Sequence, residues 1–265
     1  MKAAVVYFSG TKNTYRVGEV YKENLEETGY KVDMINIDNH KRQLEDYDLF
    51  VLGSPTYSKV ASKELIQFIS TNINKKQNPN AKAMTFITHS WGTAFGHISL
   101  AHALETAGIN VVAAQAYLMP NNFYMFSNKK ASKPEMIKMY EDNITKLDQV
   151  FKAFKSGKAL IDERKELPRT LLELQYKLAQ KVFIPGFAKK TLSVDSNKCT
   201  KCNACVKQCP TRNIHFKDEE IEFESNCLAC TKCYNICPAN AYLYKNKEID
   251  QYQENSKSIR SKVRT

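Results

Sequence analysis

Through its first half the 265-residue chain alternates short apolar or β-branched runs with longer amphipathic stretches. The runs are AAVVYF (3–8), KVDMINI (31–37), DLFVLG (48–53), AMTFIT (83–88) and NVVAAQAYLM (110–119). Such short runs read as strands, and helical stretches between them give a parallel sheet covered on both faces. The stretches between them, TYRVGEVYKENLEETG (14–29), SKELIQFISTNI (62–73) and HISLAHALETAG (97–108), read as helices. Two of the three close on glycine, which accepts the left-handed backbone just past a helix end. A further helix is expected over 134–154. Such alternation predicts an α/β fold, a five-stranded, doubly wound parallel sheet ending near Lys155.

The pattern then changes. ELPRTLLELQYKLAQKV (166–182) has helical leucine spacing, and FIPGFAKK (183–190) breaks it with proline and glycine. The leucines need a surface to cover, which predicts a helix docking the two halves of the chain on one another. The expected domains are 1–155, a helical linker over 156–190, a small cysteine-rich α+β domain over 191–248, and a basic, mobile tail over 249–265.

Composition narrows the class. Apolar residues at 43% and charged residues at 25% fit a folded globular chain rather than a disordered one. No apolar run reaches the roughly 18 residues that a membrane span needs. The apolar part of MKAAVVYFSG is too short for a secretion signal, so the expected location is the cytoplasm. The net charge is +11, with 19 Lys and Arg against 15 Asp and Glu up to Lys155, and 20 against 13 thereafter. That excess suits a docking face for acidic redox partners, or a plain solvated surface; no nucleic-acid-reading motif accompanies it.

All eight cysteines lie between Cys199 and Cys237. Disulfides belong mainly to oxidising compartments, and no export signal is read here, so the thiols are expected to be reduced ligands. They fall in two sets, CTKCNACVKQCP from Cys199 and CLACTKCYNICP from Cys227, each following C-x2-C-x2-C-x3-C-P. Structural zinc usually takes two separated pairs, so this spacing fits zinc poorly. The second set repeats the first at an offset of 28 residues, Pro210 onto Pro238 included, which marks an internal duplication. The two sets resemble bacterial two-[4Fe–4S] ferredoxins, over about residues 190–245. In that family three thiols of one set and the displaced fourth thiol of the other share a cluster. The resemblance assigns Cys199, Cys202, Cys205 and Cys237 to one [4Fe–4S] cluster, and Cys227, Cys230, Cys233 and Cys209 to the other.

Three loops gather at the carboxyl ends of the predicted strands, where an open parallel sheet binds its ligand. The first, Ser9-Gly10-Thr11-Lys12-Asn13-Thr14, brings hydroxyls and a helix N-terminus, both suited to a phosphate. The same turn also serves simply to cap a helix. The second, Ser54-Pro55-Thr56-Tyr57, and the third, His89-Ser90-Trp91-Gly92-Thr93, add flat aromatic faces in Tyr57 and Trp91. Together these residues resemble the flavodoxin family over residues 1–155. The likeness implies a sheet ordered 2-1-3-4-5 and one FMN. It gives Ser9, Thr11, Asn13 and Thr14 to the phosphate, and Ser54, Pro55, Thr56 and Tyr57 to the flavin, with His89, Ser90, Trp91, Gly92 and Thr93 across the ring. Lys12 departs from the family, which usually has glycine there; it brings a different backbone preference and a cation beside the phosphate. His89 reads either as a proton donor near the flavin or as a satisfied loop histidine. The aromatic segment MPNNFYMF (119–126) is expected to be buried, over the flavin or beneath the cysteine module.

The whole chain resembles the flavodoxin–ferredoxin fusion proteins of anaerobic bacteria labelled EFR-type. The expected function is electron transfer between two [4Fe–4S] clusters and FMN on one polypeptide, where covalent linkage replaces a diffusional encounter. The alternative is an FMN-dependent reductase of a small organic substrate, fed by its own clusters. No acid–base constellation demands the open pocket this would need, and no G-x-G-x-x-G fingerprint supports direct use of a dinucleotide.

Overall fold

The structure, a computed structural model, describes residues 1–40, 42–57, 60–90, 96–125, 130–162, 186–252 and 259–260. It divides into two compact units, Met1–Pro120 with Ala131–Lys165 and Ser256–Thr265, and Asn121–Lys130 with Glu166–Asn255. No described helix is long and apolar enough to cross a membrane.

The first unit opens with strand β1 (Lys2–Tyr7), helix α1 (Asn13–Glu27), β2 (Lys31–Asn36) and β3 (Leu49–Tyr57). Strand β4 (Val60–Ala61), α2 (Lys63–Asn72), β5 (Lys82–His89) and α3 (Gly96–Thr106) follow, then β6 (Asn110–Leu118), α4 (Lys133–Lys155) and β7 (Leu160–Ile161). The sheet runs β2-β1-β3-β5-β6-β7, with β4 paired to β3. Its five long strands are all parallel and stand in the expected 2-1-3-4-5 order. Two short strands extend the predicted five: β7 joins the β6 edge in parallel, and β4 folds back antiparallel on β3. Each is only two residues long, too short to leave a run in the sequence.

Alternation along the strands divides the core. Ala3 and Val5 of β1, with Leu49 and Val51 of β3, face Val17, Val20, Tyr21 and Leu25 of α1 and Leu147, Val150 and Phe151 of α4. Ala4, Val6, Phe50 and Leu52 face Leu65, Phe68 and Ile69 of α2 and Leu100 and Leu104 of α3. Each fully buried side chain of this size adds about 1.5–3 kcal/mol by leaving water, and period-two strands deliver it to both layers at once. Under α1, Tyr21 stacks on Phe86 at 5.1 Å and shares a 2.8 Å hydroxyl contact with Tyr117. Gly53 makes room for that packing, since a Cβ there would fall 2.1 Å from Phe86 Cζ.

Local chemistry sets the helix ends. Ser62 caps α2 by accepting from the Leu65 amide, and α4 begins with a reciprocal capping box between Ser132 and Glu135, followed by Pro134. Just past α1, Gly29 takes the left-handed backbone that the sequence anticipated, at φ +86°.

The basic tail departs from expectation. Ile259 is fully buried in the α1–α4 layer, and Arg260 donates to Asn24 Oδ1 at 2.6 Å and lies 3.4 Å from Asp148 Oδ1. A single isoleucine with a complementary arginine anchors this point of the tail, and a count of basic residues carries no sign of it. The linker helix expected over 166–182 lies wholly outside the described residues; of the 156–190 linker, only 156–162 and 186–190 are described.

The second unit contains α5 (Phe187–Thr191), β8 (Leu192–Val194), α6 (Ala204–Lys207), β9 (Ile214–Lys217), β10 (Glu220–Phe223), α7 (Lys232–Asn235), β11 (Tyr242–Tyr244) and β12 (Lys247–Glu248). The 28-residue offset persists in the backbone. Left-handed Lys201, Asn203 and Arg212 are matched by Ala229, Thr231 and Asn240, and α6 is matched by α7. Strand β8 pairs with β11, and β10 with β9, so each half lends a strand to the other. Tyr124 and Met125 are buried in this unit with Ala188, Leu192, Tyr234, Tyr242, Ile249 and Tyr252. The described part of the aromatic segment thus packs in the cysteine unit; Phe126 lies outside the described residues.

Candidate functional site

At the carboxyl edge of the first sheet the chain leaves β1 and enters α1 through Ser9–Lys12. Lys12 holds φ +71°, and no side chain caps the helix; its first turn carries no acidic residue. A left-handed residue followed by helical ones aims consecutive backbone N–H groups into one hollow, which is an anion cradle. Lysine accepts strain there that glycine would not. Ser9 Oγ accepts from the Tyr15 amide at 3.4 Å, drawing the loop over the helix start. Asn13 is 7% exposed and donates through Nδ2 to the Pro120 carbonyl at 3.0 Å, so its amide secures the loop to the end of β6.

Two of the predicted hydroxyls hold the scaffold itself. Thr14 is buried, with its Oγ1 2.8 Å from Thr88 Oγ1 on β5. Ser54 is fully buried; it donates to the Pro55 carbonyl at 2.7 Å and accepts from the Ser62 amide at 2.9 Å. Thr56 Oγ1 donates to the Thr88 carbonyl at 2.8 Å, which ties the second loop to the same strand end. Pro55, Thr56 and Tyr57 remain half-exposed, with the Tyr57 ring edge-on to Phe8 at 6.2 Å. Thr11 is half-exposed and Lys12 exposed. His89 ends β5, where its carbonyl accepts from the Met119 amide at 2.8 Å, and Ser90 next to it is exposed. Trp91, Gly92 and Thr93 lie outside the described residues. Sequence reasoning passed over Thr88, although the hydroxyl at a strand's carboxyl end in ITHS was a usable signal.

In the second unit the eight thiols line two cavities. One is bounded by Cys199, Cys202, Cys205 and Cys237, together with Val194, Ile221 and Tyr242. The other is bounded by Cys209, Cys227, Cys230 and Cys233, together with Ile214, Phe223 and Tyr234. In each, three thiols come from one motif and the fourth from its repeat. The exchange follows from the swapped strand pairs, which carry the end of each half across to the other. Backbone amides point at the sulfurs in equivalent places: Asn213 N donates to Cys209 Sγ at 3.2 Å, and Ala241 N to Cys237 Sγ at 3.4 Å. Ala229 N adds a bond to Cys227 Sγ at 3.2 Å. Thiolates held this way keep part of their charge satisfied by the protein.

The two cavities share buried thiols, Cys205 of the first being raised by burial, but differ at Cys202. Cys202 is exposed, and the Ala204 amide, helped by the Thr200 hydroxyl, lowers its pKa. Burial pushes the Cys230 thiol up to about 12 and raises Cys227 and Cys233 too. Four thiols around an apolar hollow become thiolates only when a cationic group fills it, so this donor set fits an iron–sulfur cluster. Among the described residues no three His, Cys, Asp or Glu side chains close around a single metal ion.

Residues 4–94 match the family described as "Flavodoxin domain", and residues 191–257 the family described as "4Fe-4S dicluster domain". Among solved structures the chain is similar to a flavodoxin from the domain Archaea, at 20% identity over 57% of this chain and 99% of that one, with a TM-score of 0.41. Flavodoxin 1 from Bacillus cereus is 17% identical over 56% of this chain and 98% of its own, with a TM-score of 0.39. Rubredoxin oxygen:oxidoreductase from Desulfovibrio gigas is 17% identical over 58% of this chain but only 36% of its own length, with a TM-score of 0.41. No curated protein matches the chain significantly. The chain is therefore a flavodoxin–ferredoxin fusion. Its domains imply FMN and iron–sulfur, and with them a role in electron transfer.

Proposed function

We propose that the protein is an electron carrier that holds one FMN on its first unit and two [4Fe–4S] clusters on its second, and passes electrons between them and partner proteins. When bound, the flavin supplies one- and two-electron chemistry and each cluster supplies one-electron chemistry. The observation that carries this reading is the division of eight thiols into two cavities of four, each completed by the displaced cysteine of the other motif. In the first unit the amides at the start of α1, with Ser9 and Thr11, are the donors for the FMN phosphate, and Lys12 adds a cation beside it. Thr56 and Tyr57 line the flavin, and Thr14 and Ser54 hold the loops that do so. In the second unit the amides of Asn213, Ala229 and Ala241 favour the charged forms of the sulfurs they face.

Anaerobic purification followed by iron, sulfide and flavin analysis tests the reading. The expected result is one flavin and about eight iron atoms per chain, released as two four-iron clusters. Zinc in place of iron, or a preparation without flavin, overturns it.

A further inference from the structure

The two thiol cavities are alike in sequence, but their walls are not. The cavity with Cys199, Cys202, Cys205 and Cys237 is bounded wholly by residues 194–242, and exposed Cys202 stands on its rim. The cavity with Cys209, Cys227, Cys230 and Cys233 has additional walls, Phe187 and Ala188 of α5 and Met125, which is 9% exposed. Met125 arrives on a segment from far upstream, outside the duplicated region.

One side chain holds that segment from both sides of its turn. Tyr234, fully buried, lines the same cavity immediately after the ligand-bearing Cys233. Its hydroxyl donates to the Asn122 carbonyl at 3.0 Å and accepts from the Tyr124 amide at 3.3 Å, so one oxygen pins both sides of a turn. Behind it, Gln251 Nε2 donates to the Tyr234 carbonyl at 2.6 Å, and Tyr252 N to Asn235 Oδ1 at 2.7 Å. The Tyr124 and Tyr252 rings meet at 6.3 Å, and Lys130 pairs with Asp250 at 2.8 Å. At the equivalent place in the first repeat the chain has Val206, which has no hydroxyl to hold such a strap. The duplication has been broken at this position.

We infer that the two cluster sites are unequal by construction: the site at Cys202 exchanges electrons with the outside, and the site beneath Met125 is a water-excluded, lower-potential site whose cover Tyr234 holds in place. This rests on the two-cluster reading above. A reduced cluster carries one more negative charge than an oxidised one, and an apolar cover removes the water that would stabilise that charge. Covering a site therefore lowers its potential, and loosening the cover raises it. Tyr234 is a positioning residue, since it acts through the strap.

The test is an EPR-monitored redox titration of the anaerobically prepared full-length chain, together with the rate at which a ferrous chelator strips its iron. The wild type is expected to show two separable potentials. In Tyr234→Phe, which loses only the hydroxyl, the lower potential moves up and the higher one holds, while one cluster's worth of iron is stripped several-fold faster. Met125→Ala is expected to shift the same potential and decides the matter if Tyr234→Phe does not fold. Full iron content with a single wild-type potential, or with both potentials moving together or neither moving in the variants, overturns this inference alone. Iron for fewer than two clusters in the wild type overturns the two-cluster reading and this inference with it.

Discussion

Thr14 Oγ1 on α1 and Thr88 Oγ1 on β5 lie 2.8 Å apart, a buried hydroxyl pair that joins the start of one helix to the end of a strand 74 residues further along. Through the Thr88 carbonyl, which accepts from Thr56 Oγ1 at 2.8 Å, the second loop at this edge is held too. Replacing Thr88 with valine keeps the shape and leaves the Thr14 hydroxyl without this partner. The expected cost is about 1–3 kcal/mol in thermal or denaturant unfolding, with weaker FMN binding by fluorescence titration, and Thr88→Ser restoring both. Unchanged stability and FMN affinity in Thr88→Val would show that the pair positions nothing.

Lys12 sits at φ +71°, a conformation that costs an L-residue roughly 1–2 kcal/mol and glycine very little. Lys12→Gly is therefore expected to leave the fold intact and raise the melting temperature slightly. Loss of the cation is expected to weaken FMN binding at low salt, with the difference fading as ionic strength rises. A salt-independent loss of affinity would place the effect in the loop's shape instead of its charge.

The exchanged thiols can be separated by mutation. On the two-cluster proposal, Cys237→Ser is expected to impair a cluster in the cavity lined by Cys199, Cys202 and Cys205, and Cys209→Ser one in the cavity lined by Cys227, Cys230 and Cys233. Paired with Cys202→Ser, Cys237→Ser should then cost no further cluster, whereas Cys209→Ser should remove the second. Iron analysis and EPR spectra of the two double variants check this, and the reverse pattern would mean that each motif closes on its own metal.

Burial raises the pKa of both Tyr21 and Tyr117, whose hydroxyls meet at 2.8 Å. Their folded-state pKa values lie above the unfolded value near 10, so above that pH the unfolded chain releases protons that the folded chain retains. Stability from these groups is complete below pH 10 and falls as pH rises further, by up to about 1.4 kcal/mol per pH unit for each tyrosine. Unfolding curves between pH 9 and 11 are expected to show the decline, and Tyr21→Phe to make it shallower. A slope unchanged in that variant would assign the alkaline sensitivity to other groups.

The physical basis of each successful reading is local. Val17, Val20, Tyr21 and Leu25 recur with the helical period, and they are the residues α1 buries. The apolar runs at 3–8 and 48–53 face both layers because both layers are present to receive them. The pairing of Cys237 with the first motif was readable only through resemblance, for nothing within either motif says where its fourth thiol points. Other features leave no local trace. Ser54 and Thr14 have the composition of ligand-contacting residues, yet their hydroxyls are occupied by Ser62 and Thr88, partners that become neighbours only once β3, β4 and β5 are assembled. The tail was read from its charge, and among its described residues it is Ile249, Tyr252 and Ile259 that bury.

By itself, then, the sequence determined the strand and helix periods, the spacing of the thiols and the duplication that relates them, because each depends on backbone geometry repeating over a few residues. The tertiary structure alone decided which hydroxyls remain for a ligand, where the segment after β6 lies, and how far the repeats diverge. Those depend on contacts such as Tyr234 with Asn122, 112 residues apart, which no local period encodes.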